Sequence, residues 1–456
     1  MERMIVVKLF VRDVNFYKKA AAISIPISMQ SLISIGVNMT DTIMIGSLGE
    51  NALSATALAN QFVNIFHIGC MGIAMGASVL TARYWGMKDL RALKKTITIM
   101  LRICVLFASL FMAITIISPL FLMRLYTNDN QVINQGVLYL KWMVPCYLLM
   151  GLSLTCTIVL RSVGHVRIPL LSSIGALFVN IFFNYILIFG KLGAPQMGVE
   201  GAALGTMIAR IFEFLFICVY FFFIESKIAY RIRDLHMNCK SLILKYMSVS
   251  LPVFVSDILL AIGSSVLAMI MGRIGKDFVS ANSITMVTQQ LSTVLIHGIC
   301  HSGCIITGHT LGKGEKEKAQ EQAYTFMILG LIIGAVASVI ILVIKDPVIN
   351  IYNITDRTKE LAKELMNAIA FIVIFQSTNS IMTKGVLRGG GDTKFLMVAD
   401  VLLLWIISIP LGFMAGLVWK LPAFWIYIFL KIDQVFKTIW CIFRLASKKW
   451  IKSISS

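Results

Sequence analysis

Asp41 is a carboxylate set in a long apolar stretch, with polar neighbours at helical spacing. Gln30, Ser34, Asn38 and Asp41 follow at intervals of four, four and three residues, so a helix puts all four on one face. An ionised carboxylate inside an apolar run is costly, so it must pair, bind a cation or take a proton. The competing reading is an acid already in the headgroup layer, because glycines follow closely at Gly46 and Gly49. Asn180 and Asn184 lie four apart and also share a face. Two amides can help coordinate a hard cation or hydrogen-bond a nearby acid. They can equally join two helices, for about 0.6 kcal/mol per bond.

Other polar residues interrupt apolar runs with less definite chemistry. Asn60, Asn64 and His67 share a face and are candidates for lining a cavity; plain interhelical hydrogen bonding fits them as well. Asp257 lies seven residues from both Ser250 and Ser264, well inside its run, where an acid is expected to face a cavity. Gln290, His297, Gln376 and Asn379 are further candidates for cavity lining. His297, Cys300, His301 and Cys304 share one helical face, and the two histidines have metal-ligand spacing. A zinc protease would need Glu directly after the first His, where this chain has Gly298, so no metal site is expected. Arg210 with Glu213 and Asp433 with Lys437 read as local ion pairs, and Asp400 as a locally hydrogen-bonded acid.

The elements that hold these residues follow from composition. Of 456 residues 58% are hydrophobic and only 14% charged, against about 25% charged in soluble chains. This excludes a soluble enzyme, a disordered chain and a disulfide scaffold. Twelve apolar runs lie near 20–45, 55–81, 96–120, 137–159, 168–189, 198–224, 247–271, 281–308, 322–345, 362–386, 396–418 and 421–443. Each suits one membrane span of about 20 residues, giving an all-α integral membrane protein with 12 transmembrane helices. Nine scattered cysteines read as free thiols. No cleavable signal peptide is expected, because residues 1–19 carry five Lys or Arg and the following apolar run is too long.

The formal charge of +19 would suggest nucleic acid in a soluble protein; here it reads as topology. Loops on the side of the termini carry 27 Lys and Arg, and the opposite loops eight. Both termini are therefore expected in the cytoplasm, with no nucleic-acid partner. The chain also repeats at a shift of 226 residues: Pro26 meets Pro252, the stretch 44–55 meets 270–281, and Gly86 meets Gly312. One inserted residue later, Leu160-Arg-Ser-Val-Gly164 meets Leu387-Arg-Gly-Gly-Gly391. Six spans per repeat is an even number, so both halves share one orientation, as in parallel-repeat transporters. The expected lobes are 1–228 and 229–456, linked through the basic loop 225–246.

The stretch Asn38-Met-Thr-Asp-Thr-Ile-Met-Ile-Gly46 resembles the first helix of MATE (multidrug and toxic compound extrusion) transporters. The Leu-Arg-x-x-Gly loops, Asn180-Ile-Phe-Phe-Asn184 and Gly198-Val-Glu-Gly-Ala-Ala203 are similar to later family segments. The resemblance covers roughly residues 20 to 420 and implies two six-helix lobes around a central V-shaped cleft. It implies export of drugs or organic, often cationic, compounds across a bacterial plasma membrane in exchange for H⁺ or Na⁺. It places the coupling aspartate at Asp41, with Asn180 and Asn184 beside it; some branches have an acid at the second of these. The NorM-type branch has acids in its seventh and tenth helices that this chain does not reproduce. Neither cofactor nor enzyme activity is implied, and a monomer in the bilayer is expected. The alternative is a lipid-linked oligosaccharide flippase of the same superfamily, which would need a strongly basic cleft. Few cations lie inside the runs, mainly Arg102, Lys141 and Arg210.

Overall fold

The computed structural model describes residues 10–351 and 354–452; both extreme termini, expected in the cytoplasm, lie outside the described residues. The bilayer interior offers no water to backbone N–H and C=O groups, so apolar runs satisfy them internally as helices. Among the described residues eleven helical spans are long and apolar enough to cross a membrane. They are α1 (Val14–Gly46), α2 (Glu50–Met87), α3 (Leu90–Ile117), α5 (Asn130–Ser162), α6 (Arg167–Phe189), α7 (Gly198–Val219), α8 (Lys240–Ile274), α9 (Lys276–Gly312), α10 (Lys316–Ile351), α11 (Asp356–Ser380) and α12 (Thr393–Leu402). A π-helical segment extends α11 through Leu387, and α12 continues through α13 (Ile409–Phe413) to Val418. The short α4 (Pro119–Arg124) precedes α5. The expected twelfth run is interrupted at Lys431, giving α14 (Ala423–Leu430) and α15 (Asp433–Ala446).

Aspartate and threonine side chains start several helices. Asp89 accepts from Ala92 N–H at α3, Asp129 from Gln131 and Val132 at α5, and Thr355 from Thr358 at α11; each satisfies donors that the helix cannot. Pro26 and Pro252, partners in the repeat, lie inside α1 and α8. Each removes one helical hydrogen bond and favours a bend there.

The chain divides into two compact units. Among the described residues, unit 1 contains 10–28, 82–88, 255–351 and 354–452, and unit 2 contains 29–81 and 89–254. The divisions inside α1 and α8 fall after Ser28 and Phe254, two residues beyond the prolines and separated by the repeat shift of 226.

Unit 2 is built on α2, α3 and α5. Phe66 stacks on Phe107 at 5.6 Å and meets Tyr147 edge-on at 5.0 Å. The segment 225–239 is pinned to α3: Lys94 Nζ donates to Ala229 O (2.6 Å) and pairs with Asp234 (2.9 Å), and Arg102 donates to Leu235 and Met237 carbonyls. Burial alone would raise the pKa of Asp234, but the Lys94 hydrogen bond and charge and the Arg231 N–H outweigh it, leaving it below the ordinary value.

Unit 1 packs α9, α10 and α11 closely. Gly330 and Gly334 of α10 lie against Thr378 and Ile374 of α11, where added Cβ atoms would come within 3.0 and 2.8 Å of backbone. Gly86 and Gly312, repeat partners, lie against each other in the same unit; a Cβ on Gly312 would be 2.8 Å from Gly86 Cα. Behind α15 the chain folds back as a strap. Trp450 is fully buried, its Nε1 donating to Gln320 Oε1 at 2.7 Å. Lys452 N donates to Gly390 O at 3.0 Å, and Arg83 Nη1 donates to Lys452 O at 2.6 Å.

Candidate functional site

In unit 2, α6 brings Asn180 and Asn184 to Asp41 of α1. Asn184 Nδ2 donates to Asp41 Oδ1 at 2.6 Å and approaches Asn180 Oδ1 at 3.4 Å. Both amides are buried and Asp41 is half-buried. Asn184 Oδ1 is buried with no hydrogen-bond donor and rests on Gly205 of α7. A carboxylate and amide oxygens make a hard-oxygen set that can exchange between a proton and a hard cation.

Tyr139 and Arg210 are electrostatic neighbours of Asp41. Tyr139 of α5 donates to Asn60 Oδ1 at 3.2 Å, and its phenol also feels the Asp41 charge. Arg210 and Glu213 of α7 form a 2.7 Å ion pair. The Arg210 charge acts on Asp41, and both members act on His67 of α2. The pair is therefore local in sequence, as its spacing indicates, and also the electrostatic neighbour of two site candidates. That second property is invisible to a single-helix pattern. The glycine pair Gly201 and Gly205 reads from sequence as simple packing, yet Gly205 is the surface on which Asn184 is seated.

The rest of the α1 stripe is engaged elsewhere. Gln30 donates to Ser173 Oγ at 2.7 Å and to Pro169 O at 3.3 Å, and accepts from Arg161. Ser34 donates to Gln30 O of its own helix at 3.0 Å. Asn38 and Asn64 are exposed.

In unit 1 Asp257 is half-buried and pairs at 3.5 Å with buried Arg388 of the repeated Leu-Arg loop. Arg161, its repeat partner, grips Gln30 of α1 in the same manner. Asn379 is buried and donates at 2.8 Å to Oε1 of Gln434, which lines the polar cavity of this unit. Asp400 is more than a locally bonded acid. Lys437 bridges it (3.1 Å) to Asp433 (3.0 Å), and Ser256 and Ser408 donate to the two carboxylates at 2.9 Å each.

Gln290, His297 and Gln376 do converge, on a cavity of about 230 Å³ that also meets Lys431. Cys300 and Cys304 are buried, Cys300 Sγ facing Ser380 O at 3.3 Å. Gly298 has a packing reason: a Cβ there would overlap Ser24 O and Ser28 Oγ. Among the described residues no group of three His, Cys, Asp or Glu side chains is placed to hold a metal ion.

Eleven apolar helical spans among the described residues, carrying buried polar groups, define a polytopic membrane protein. The MatE family model matches residues 26–186 and 252–414, one stretch per repeat, and the chain belongs to that family, whose members are transporters rather than enzymes. It is 24% identical over 436 residues to a probable multidrug resistance protein NorM of Thermotoga maritima, covering 95% of this chain and 93% of that one. It is 26% identical over 426 residues to the multidrug resistance protein MdtK of Yersinia pseudotuberculosis, covering 89% and 90%. Its fold matches an outward-facing structure of a multidrug resistance MATE family transporter of the MOP superfamily, with TM-score 0.85 at 17% identity over 97% of this chain and 100% of that one. A MATE structure in complex with MaL6 matches with TM-score 0.86 at 17% identity, over 97% and 99%.

Proposed function

We propose that this protein is a secondary antiporter of a bacterial plasma membrane, exporting amphipathic or cationic organic compounds in exchange for H⁺ or Na⁺. Its termini face the cytoplasm, and it works as a monomer without a cofactor. Asp41 is the coupling group. The observation carrying this reading is the 2.6 Å bond from Asn184 to Asp41, with Asn180 alongside. Asn184 holds the carboxylate by its N–H, and a carboxylate so held can take a proton or a hard cation. Loading the ion and loading the substrate favour different conformers, so a gradient of one drives movement of the other. The multidrug resistance names of the relatives support the substrate class.

The test uses inverted membrane vesicles with a preformed pH or Na⁺ gradient. Ethidium or tetraphenylphosphonium is added and the gradient followed by a fluorescent reporter. Dissipation of one gradient, dependent on this protein, is expected. If neither gradient responds to any compound that the protein exports, the antiport reading fails.

A further inference from the structure

The cavity in unit 1 presents hydrogen-bond donors and no acid. Gln289, Gln290, Thr293 and His297 of α9 face Gln376 of α11 and Lys431 at the break between α14 and α15. Several of these groups already serve one another. Gln289 Nε2 donates to Gln376 Oε1 at 2.7 Å, and Thr293 Oγ1 returns to Gln289 O at 2.8 Å. Gln434, also on the wall, gives its amide to Asp433 and accepts from Asn379. Among the described residues the Gln376 N–H, the Gln290 amide, the His297 ring and the Lys431 ammonium have no side-chain hydrogen-bond partner.

The two lysines of this region have opposite circumstances. Lys437 is saturated by two carboxylates. Lys431 has no carboxylate within ion-pair distance among the described residues. The charge of Asp433 reaches it but leaves its three N–H donors free. Asp257, the acid of α8, is occupied by Arg388. Lys384, likewise without an ion-pair partner among the described residues, adds positive charge at His297. An organic cation entering here would meet N–H donors and like charge. A carboxylate supplies what these groups lack: two acceptor oxygens and a negative charge, for charge-assisted bonds.

We propose that this cavity binds the carboxylate end of the transported substrate, so the protein favours amphipathic compounds bearing an anionic group. This rests on the transporter reading above and narrows its substrate class. The cavity is smaller than the roughly 300–1,000 Å³ of sites that enclose a drug-sized ligand. It therefore takes a head group and leaves the apolar body outside.

The test measures binding of dansylglycine and of its neutral analogue dansylglycinamide to the purified full-length protein in detergent, by dansyl fluorescence. Wild type is expected to hold the acid about tenfold more tightly, the scale of one charge-assisted contact. Lys431→Met should weaken acid binding about tenfold and so erase the preference, and Lys431→Arg should keep it. Equal affinities in wild type, or an intact preference in Lys431→Met, overturn the proposal. If Lys431→Met does not elute as a monodisperse protein, wild type alone decides: benzoate should displace dansylglycine and benzamide should not. Equal displacement rejects the proposal. Displacement by phosphatidylglycerol added to the micelles would assign the site to a lipid headgroup and also reject it. The assay contains no ion gradient. A failed preference with intact gradient dissipation removes this inference alone, and a failed gradient with an intact preference removes only the antiport reading.

Discussion

Gly205→Ala should damage ion coupling from a residue that touches neither ion nor substrate. A Cβ at this position would overlap Asn184 Oδ1 and come within 3.0 Å of Asn184 N and 3.1 Å of its Cγ. Backbone nitrogen cannot move without parting α6 from α7, so the side chain must turn as well. Overpacking of this kind costs about 1–3 kcal/mol in stability. If Asn184 turns away, Asp41 loses its 2.6 Å bond, and a hydrogen bond to a charged group contributes about 1.5–3 kcal/mol. At 1.4 kcal/mol per decade, apparent ion affinity should shift roughly ten- to a hundredfold. Gly201→Ala is the control. Its Cβ would lie 2.5 Å from Leu187 O on the same seam, one turn away, with no side-chain partner in the site. Thermal midpoints from fluorescence-detected gel filtration should fall in both variants. Transport against ion concentration should shift strongly in Gly205→Ala only. A Gly205→Ala protein with wild-type ion dependence, or a Gly201→Ala protein shifted equally, would refute the seating of Asn184 by Gly205.

Lys437→Met should destabilise unit 1 by about 3–5 kcal/mol, because it leaves Asp400 and Asp433 buried without a counter-charge; thermal midpoint measures this, and adding Asp400→Asn should recover part of the loss. Trp450→Ala should cost about 3–5 kcal/mol of local stability, read as faster hydrogen exchange over residues 447–452 and over the helix bearing Gln320. Acid should loosen the segment 225–239. The pKa of Asp234 is lowered in the folded state, so its stabilisation is complete above the ordinary aspartate value of 3.8 and disappears as pH falls through the lower folded value. Hydrogen exchange of that segment, corrected for intrinsic rates, should lose protection in this acid range in wild type and show no such transition in Asp234→Asn.

Much of this architecture is legible because the bilayer is a demanding solvent. A run near 20 apolar residues has few alternatives to a spanning helix, and a period of 3.6 is enough to put Asn180 beside Asn184 and Asp41 on a polar face. Contacts across helices are less legible, since they depend on how each helix is rotated against its neighbours. Arg210 and Glu213 look self-contained at a spacing of three, yet the Arg210 charge reaches Asp41 and both charges reach His67. Asp257 reads as an acid without a partner until Arg388, 131 residues away, is placed against it. Lys431 sits unnoticed in an apolar run, because the break between α14 and α15 that turns it to the cavity has no glycine or proline to announce it. Nothing local marks the Trp450 strap either: its partners Gln320, Gly390 and Arg83 come from distant stretches of the chain.

The coupling role of Asp41 is tested most directly by Asp41→Asn, purified and reconstituted in proteoliposomes with an imposed pH or Na⁺ gradient. The substitution keeps the side chain's shape and removes its charge and titration. Uptake or release of a transported dye should no longer respond to either gradient, while the variant remains folded by gel filtration and still binds the dye. Gradient-driven transport at the wild-type rate in Asp41→Asn would contradict the assignment of Asp41 as the coupling group.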